Sequence, residues 1–255
     1  MVLVGCTFSS QKHDIQNAEK LMSEGQGDQA LALLDKAMRG PDASLALEAA
    51  RRGARLAQID LKNYQKAVEY YRFLIVSSDS DELRRFAEKN IAQIYFENLL
   101  YYDRAIIEYE KLLRLSFSPP EHYQFRLNIA KSHHQLGNLE QALAELKTLE
   151  KEKVTEADIY DLEVFKGNVL ITQKKQHEAA ALFAGLIKKF PERAQKDNLA
   201  LTLAVCYEEL SDYRQAIGTL ESMKKDYPHP EFLVARIARL KGRLSNMPGA
   251  NGFKK

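Results

Sequence analysis

Few groups in this sequence could do chemistry. They are six histidines (His13, His122, His133, His134, His177 and His229), two cysteines (Cys6 and Cys206) and scattered carboxylates. A zinc site needs His or Cys ligands at short fixed spacings such as HExxH or CxxC, and none occurs. Cys206 lies among apolar residues in LTLAVCYEEL and reads as a small buried helix residue. No GxSxG, Walker or GxGxxG element is present, so nothing marks an activated serine or a phosphate cradle. Glu208-Glu209 reads as a pair of solvated helix carboxylates rather than a general acid–base couple. The expectation is a protein without catalytic residues, bound metal or cofactor.

Without reactive groups to position, the elements themselves become the question. Glycine (12) and proline (7) are scarce in the 255 residues, while Ala, Leu, Glu, Lys and Gln dominate, which points to an all-α chain. The 37 basic and 35 acidic residues leave a net charge of +2 and alternate along the chain, as in KNYQKAVEYYR (62–72). A nucleic-acid binder gathers its basic excess on one face, so no nucleic-acid partner is expected. No apolar run approaches the roughly 18–20 residues that span a bilayer.

A repeat organises the whole length. An alanine followed four residues later by a large apolar residue occurs six times: Ala30/Leu34, Ala67/Tyr71, Ala105/Tyr109, Ala142/Leu146, Ala179/Phe183 and Ala216/Leu220. The alanines are 37, 38, 37, 37 and 37 residues apart, and each follows a turn-like segment such as GQGDQA, GNLEQA or SDYRQA. Helical spacing puts the alanine and its partner on one face, where the small residue admits a second helix and the large one fills the space beyond it.

This pattern resembles the tetratricopeptide repeat, L-G-x2-Y, then A-x3-F, then P. The fifth copy carries Gly167, Leu170, Ala179, Phe183 and Pro191, and the sixth Leu203, Ala204, Tyr207, Ala216, Leu220 and Pro228. The resemblance implies a right-handed superhelical solenoid of six helical hairpins, A and B, with a C-terminal capping helix. Repeats are expected at 11–44, 48–81, 86–119, 123–156, 160–193 and 197–230 within a single domain of residues 11–244. The capping helix is expected at 231–244, a linker at 1–10 and a disordered tail at 245–255. The period exceeds the family's 34 residues by about one helical turn, which predicts longer A helices rather than longer loops. Pro120-Glu121 suits a first helical turn, and Thr155-x-x-Asp158 reads as a capping box.

The family lines its concave groove with helix A side chains. Carried across, this implies Arg52, Asn90, Gln124, Asn128, Lys131, His134, Gln135, Asn168, Asn198, Thr202 and Glu208 as partner-contacting residues. An asparagine amide both donates and accepts, which suits an extended peptide backbone. The basic pair some relatives use to clamp a terminal carboxylate is absent, since Asp161 and Phe165 stand where it is needed. His133 takes a position that calls for a packed aromatic, and Tyr70 and Tyr101 fall off the core positions, as an exposed aromatic patch would.

At the amino terminus, Leu3-Val4-Gly5-Cys6 resembles the lipobox of bacterial lipoproteins, in which the cysteine takes the lipid. Five residues precede Cys6, without a basic segment, so lipidation and an unmodified cytoplasmic terminus both remain open. The layout is similar to pilotin-type and outer-membrane assembly lipoproteins. It implies a non-enzymatic scaffold on the periplasmic side of the outer membrane that takes a protein or extended peptide, with contact to the membrane only through Cys6. The alternative is a cytoplasmic adaptor in motility, polarity or signalling.

Overall fold

A computed structural model describes residues 3–152, 155–225 and 227–247, with the backbone alone for residues 3–9 and 157. Every regular element among them is helical, and they fall into two compact units, Met1–Asn138 and Leu139–Lys255. The first unit holds α1 (Leu3–Ser23), α2 (Gly27–Met38), α3 (Ala43–Arg55), α4 (Tyr64–Ser77), α5 (Asp81–Gln93), α6 (Tyr102–Leu112) and α7 (Pro119–Gln135). A π-helical turn extends α3 (π1, Leu56–Asp60) and another extends α5 (π2, Ile94–Asn98). The second unit holds α8 (Leu139–Leu149), α9 (Glu156–Thr172), α10 (Gln176–Lys189), α11 (Pro191–Lys196), α12 (Leu199–Glu209), α13 (Tyr213–Met223) and α14 (Pro230–Ser245). The unit boundary falls inside the fourth repeat, after its A helix, and α1 begins within the segment expected as a linker.

In the first unit α1 packs on α2, α3 on α4 and α5 on α6, and each B helix packs on the next A helix. The second unit repeats this order from α8 to α14. All six repeat alanines and their six large partners are buried, as a shared hairpin core requires. Between the first two hairpins the buried Gln11 closes the loop. Its Nε2 donates to the carbonyls of Ala37 (2.8 Å) and Asp42 (3.0 Å), and its Oε1 accepts from the Asp42 N–H (3.1 Å). A buried amide is tolerated because both its ends are satisfied.

The added turn lies in helix A. The spans 43–60, 81–98, 119–135 and 156–172 are continuous helix. In the sixth repeat the extra residues form the separate α11 instead, and Asn198, at φ 53°, breaks it from α12. Asparagine is among the few residues that visit left-handed backbone cheaply.

The π turns have a cause visible in the spacing. The small residue of helix A stands 12 residues before the repeat alanine at Ala18, Ala130, Gly167 and Ala204, but 13 before it at Ala54 and Ala92. One surplus residue in an otherwise α-helical ladder is absorbed as a single wider turn. The Leu61 N–H accordingly reaches the Leu56 carbonyl (3.0 Å), and the Leu99 N–H that of Ile94 (2.9 Å).

Where the third, fourth and sixth repeats carry Ile91, Ile129 and Leu203, the second carries Gly53. Tyr70 fills the space from helix B, and a Cβ on Gly53 would stand 2.5 Å from its ring. This corrects the placing of Tyr70 in an exposed patch, because its side chain is completely buried. Its hydroxyl donates to the Leu31 carbonyl at 3.3 Å. Gly167 stands in the same relation to Phe183, at 2.3 Å.

Helix ends behave as their residues dictate. Ser118 and Glu121 close the start of α7 over Pro119-Pro120, with Ser118 Oγ donating to Glu121 at 2.8 Å. Thr155 and Asp158 form the expected capping box at α9. Helix α14 buries Leu233, Ile237 and Leu240 and turns Arg239, Lys241 and Arg243 outward. Of the tail expected at 245–255, residues 248–255 lie outside the described residues.

Candidate functional site

In the first unit the exposed sides of α3, α5 and α7 carry most of the residues expected to meet a partner. Two ion pairs run between neighbouring A helices. Arg52 of α3 pairs with Glu19 of α1, and Lys89 of α5 with Glu121 of α7 at 2.9 Å. Hydrogen bonds from the Lys89 ammonium, and then from the Ser118 hydroxyl and N–H, hold the Glu121 carboxyl down at about 2.

Several expected residues are already occupied. Arg52 lies between Glu19 and Glu48, with its Nη2 2.7 Å from the latter. Asn128 is buried, which corrects its placing on an open groove. Its Nδ2 donates to the Tyr109 hydroxyl (2.9 Å), and its Oδ1 accepts from Gln124 Nε2 (2.9 Å). Gln124 is exposed but tethered by that bond. Asn90 donates to the Phe86 carbonyl one turn back, which leaves its amide oxygen for a partner. His134 is half-buried, and burial pushes its imidazole below the usual histidine range, so it is neutral near pH 7. Lys131 is half-buried and Gln135 exposed on the same helix.

Two groups the sequence reading passed over are the most available. Arg51 and Arg55 are exposed one turn apart on α3, with exposed Ile59 a further turn along. Neither guanidinium meets a carboxylate among the described residues, whereas Glu19, Glu48 and Glu121 on this side are each held by a cation. Counting back from the repeat alanine at constant register lands on Arg52 and Asn90. The surplus π-turn residue shifts the equivalent positions to Arg51 and Lys89. The signal that finds them is the small residue of helix A, Ala54 or Ala92. The face so defined has uncompensated positive charge, exposed apolar groups at Ile59 and Phe86, and no nucleophile–base couple.

In the second unit the expected residues do not form one surface of this kind. Asn168 is exposed. Asp161 is taken by Arg193 at 2.6 Å. Thr202 is half-buried, and Glu208 is clasped from α14 by Arg236 (Nη2 at 2.6 Å, Nε at 2.7 Å). Asn198 lines a cleft of about 910 Å³ with Arg193, Lys196, Tyr227 and Pro228. Cys206 is buried and free, and its thiol is raised by burial, so it is not a reactive thiolate. The Cys6 side chain lies outside the described residues. Among the described residues no helix is long and apolar enough to cross a membrane, and no cluster of three potential metal ligands occurs.

This geometry has known counterparts. Residues 199–229, spanning α12 and α13, match the family profile of the tetratricopeptide repeat. A tetratricopeptide repeat protein from Parabacteroides merdae ATCC 43184 is 19% identical, with 93% of this chain and 86% of that one aligned at a TM-score of 0.56. PilW, a widely conserved type IV pilus biogenesis factor, is 18% identical over 89% of this chain and 98% of its own, at 0.54. YrrB, a repeat protein with an unusual peptide-binding site, is 16% identical over 76% and 91%, at 0.52. A comparison with curated proteins gives no match. At these identities the likeness is one of fold: the chain has the all-α tetratricopeptide-repeat fold, and its sixth hairpin carries the family's sequence signature.

Proposed function

We propose that this protein is a non-enzymatic scaffold that holds a partner protein by an extended acidic segment laid across α3, α5 and α7. The observation that supports this is the exposed pair Arg51 and Arg55 on α3, neither held by a carboxylate among the described residues, with exposed Ile59 a turn further along and Glu19, Glu48 and Glu121 already paired. Charge of one sign left open on a repeat surface selects a partner of the other sign. The Asn90 amide oxygen and the Gln135 side chain add hydrogen bonds that read backbone rather than side chains. The test is quantitative co-purification with wild type and with Arg51→Glu/Arg55→Glu. Loss of one partner from the variant, with its helical content unchanged, supports the groove, and equal recovery of every partner contradicts it.

We further propose a place for the scaffold in the bacterial envelope, held on the periplasmic side of the outer membrane by a lipid on Cys6 and serving assembly of a pilus, secretion or outer-membrane complex. Leu3-Val4-Gly5-Cys6 and the likeness in fold to PilW support this reading. Metabolic labelling with an alkynyl fatty acid tests it: the label disappears in Cys6→Ser, and a wild type that takes no label rules it out. A cytoplasmic adaptor is the second reading. The α1 backbone favours it by running back to Leu3, which leaves no extended linker between Cys6 and the first hairpin.

A further inference from the structure

Each of the six A-to-B turns places one residue at positive φ: Gly25, Lys62, Leu100, Gly137, Lys174 and Ser211. Left-handed backbone is unfavourable for any residue with a Cβ, and a branched apolar side chain gains no local hydrogen bond there in return. Leu100, at φ 55°, is the apolar member of the set, and it is 55% exposed. The residue after it begins helix B. Asn63 and Asp212 use that position to accept from the Lys66 (3.2 Å) and Gln215 (3.1 Å) N–H groups. Tyr101 caps nothing and is 42% exposed. Leu100 is therefore poorly suited to its backbone and unrewarded by burial, and Tyr101 beside it leaves the cap position unused. The backbone cost at Leu100, offset by neither burial nor a local hydrogen bond, points outward.

The surroundings state what would meet them. Tyr101 stacks on Tyr95 at 6.3 Å, and the Arg104 guanidinium lies 5.2 Å from the first ring and 5.8 Å from the second. Arg72 donates to the Tyr95 hydroxyl at 3.3 Å. Neither arginine meets a carboxylate among the described residues. Ile107, 53% exposed, stands one turn beyond Arg104 on α6. We infer that the turn of the third repeat is a second docking surface, separate from the groove, for a protein segment that sets an apolar anchor between carboxylates. The anchor covers Leu100, Tyr101 and Ile107, and the carboxylates reach Arg72 and Arg104. A second copy of this chain is disfavoured as the occupant, because a two-fold contact would face these arginines with themselves. A nucleic acid is disfavoured because the chain has a net charge of only +2, without the basic excess that a phosphate backbone draws on.

This surface does not depend on the groove reading, and its test separates the two. A random dodecapeptide library is selected on the full chain, then rescreened on Leu100→Gly/Tyr101→Asn, Arg72→Glu/Arg104→Glu and Arg51→Glu/Arg55→Glu. The first variant restores a residue suited to positive φ and a capping side chain, so its melting temperature rises, by roughly 2–5 °C. Peptides with an aromatic or branched anchor close to Asp or Glu should lose about tenfold or more in affinity on the first two variants and nothing on the third. The inference is overturned if no such class is enriched, if the first two variants bind it equally, or if Leu100→Gly/Tyr101→Asn melts lower than wild type. Loss of binding to single-stranded oligonucleotides in the same two variants, or their loss of self-association, would also overturn it.

Discussion

Gly53 and Tyr70 divide between them a volume that other repeats fill from helix A alone. Gly53→Leu should therefore overpack the second hairpin and cost about 2 kcal/mol or more. Adding Tyr70→Ala to Gly53→Leu should recover part of that loss, as chemical denaturation of the four members of the cycle will tell. The exchange was not legible beforehand, because a helical pattern assigns each residue a face without saying what its neighbour leaves empty. Asn128 teaches the same lesson from the polar side. Its position in the repeat is a groove position, yet its amide is spent on Tyr109 and Gln124. Asn128→Ala should thus cost stability, about 1–3 kcal/mol for stranding the buried Tyr109 hydroxyl, rather than specificity of binding. His134 adds a pH dependence. Its folded pKa is depressed, so the unfolded chain binds the proton more readily, and stability falls as pH drops below about 6.5. Thermal melts between pH 7.5 and 5 should show this slope, flattened in His134→Asn.

At the scale of elements, the period and the longer A helices could be read from alanine spacing, because one extra turn keeps a helix face in phase. The π turns could not be read from the alanines, and their neglect left Arg51 and Lys89 unassigned beside Arg52 and Asn90. Deleting Asn98 would restore the 12-residue interval of the other repeats. Helical content by circular dichroism and a cooperative melt should survive, and loss of either would show that the wider turn is required. Helix α14 was expected from the repeat resemblance, but its anchor was not. Arg236 and Glu208 are both largely buried, and removing one partner of such a pair strands the other. Arg236→Ala should speed hydrogen exchange across residues 230–245 and leave α9 and α10 unchanged. Uniform exchange in wild type and variant would contradict that role.

Across the whole molecule, the repeat count and the absence of reactive motifs carried the reading furthest, since a packed hairpin leaves a sequence trace and a partner does not. The unit boundary at Asn138 had no such trace, because the period is 37 residues on either side of it. On the proposed function, what the protein holds is written in unpaired charge, and pairing is a property of three dimensions: Arg51 and Arg52 are neighbours in sequence, yet only Arg52 meets carboxylates among the described residues. The central claim is that the exposed side of α3, α5 and α7 grips a partner. Photo-crosslinking in cells tests it most directly, with p-benzoylphenylalanine replacing Arg55, Ile59 or Lys131 in turn, and Asp28 on α2 as the control. The account predicts the same single adduct from the first three positions and none from Asp28. Adducts from Asp28 alone, or equal adducts from all four, would contradict it.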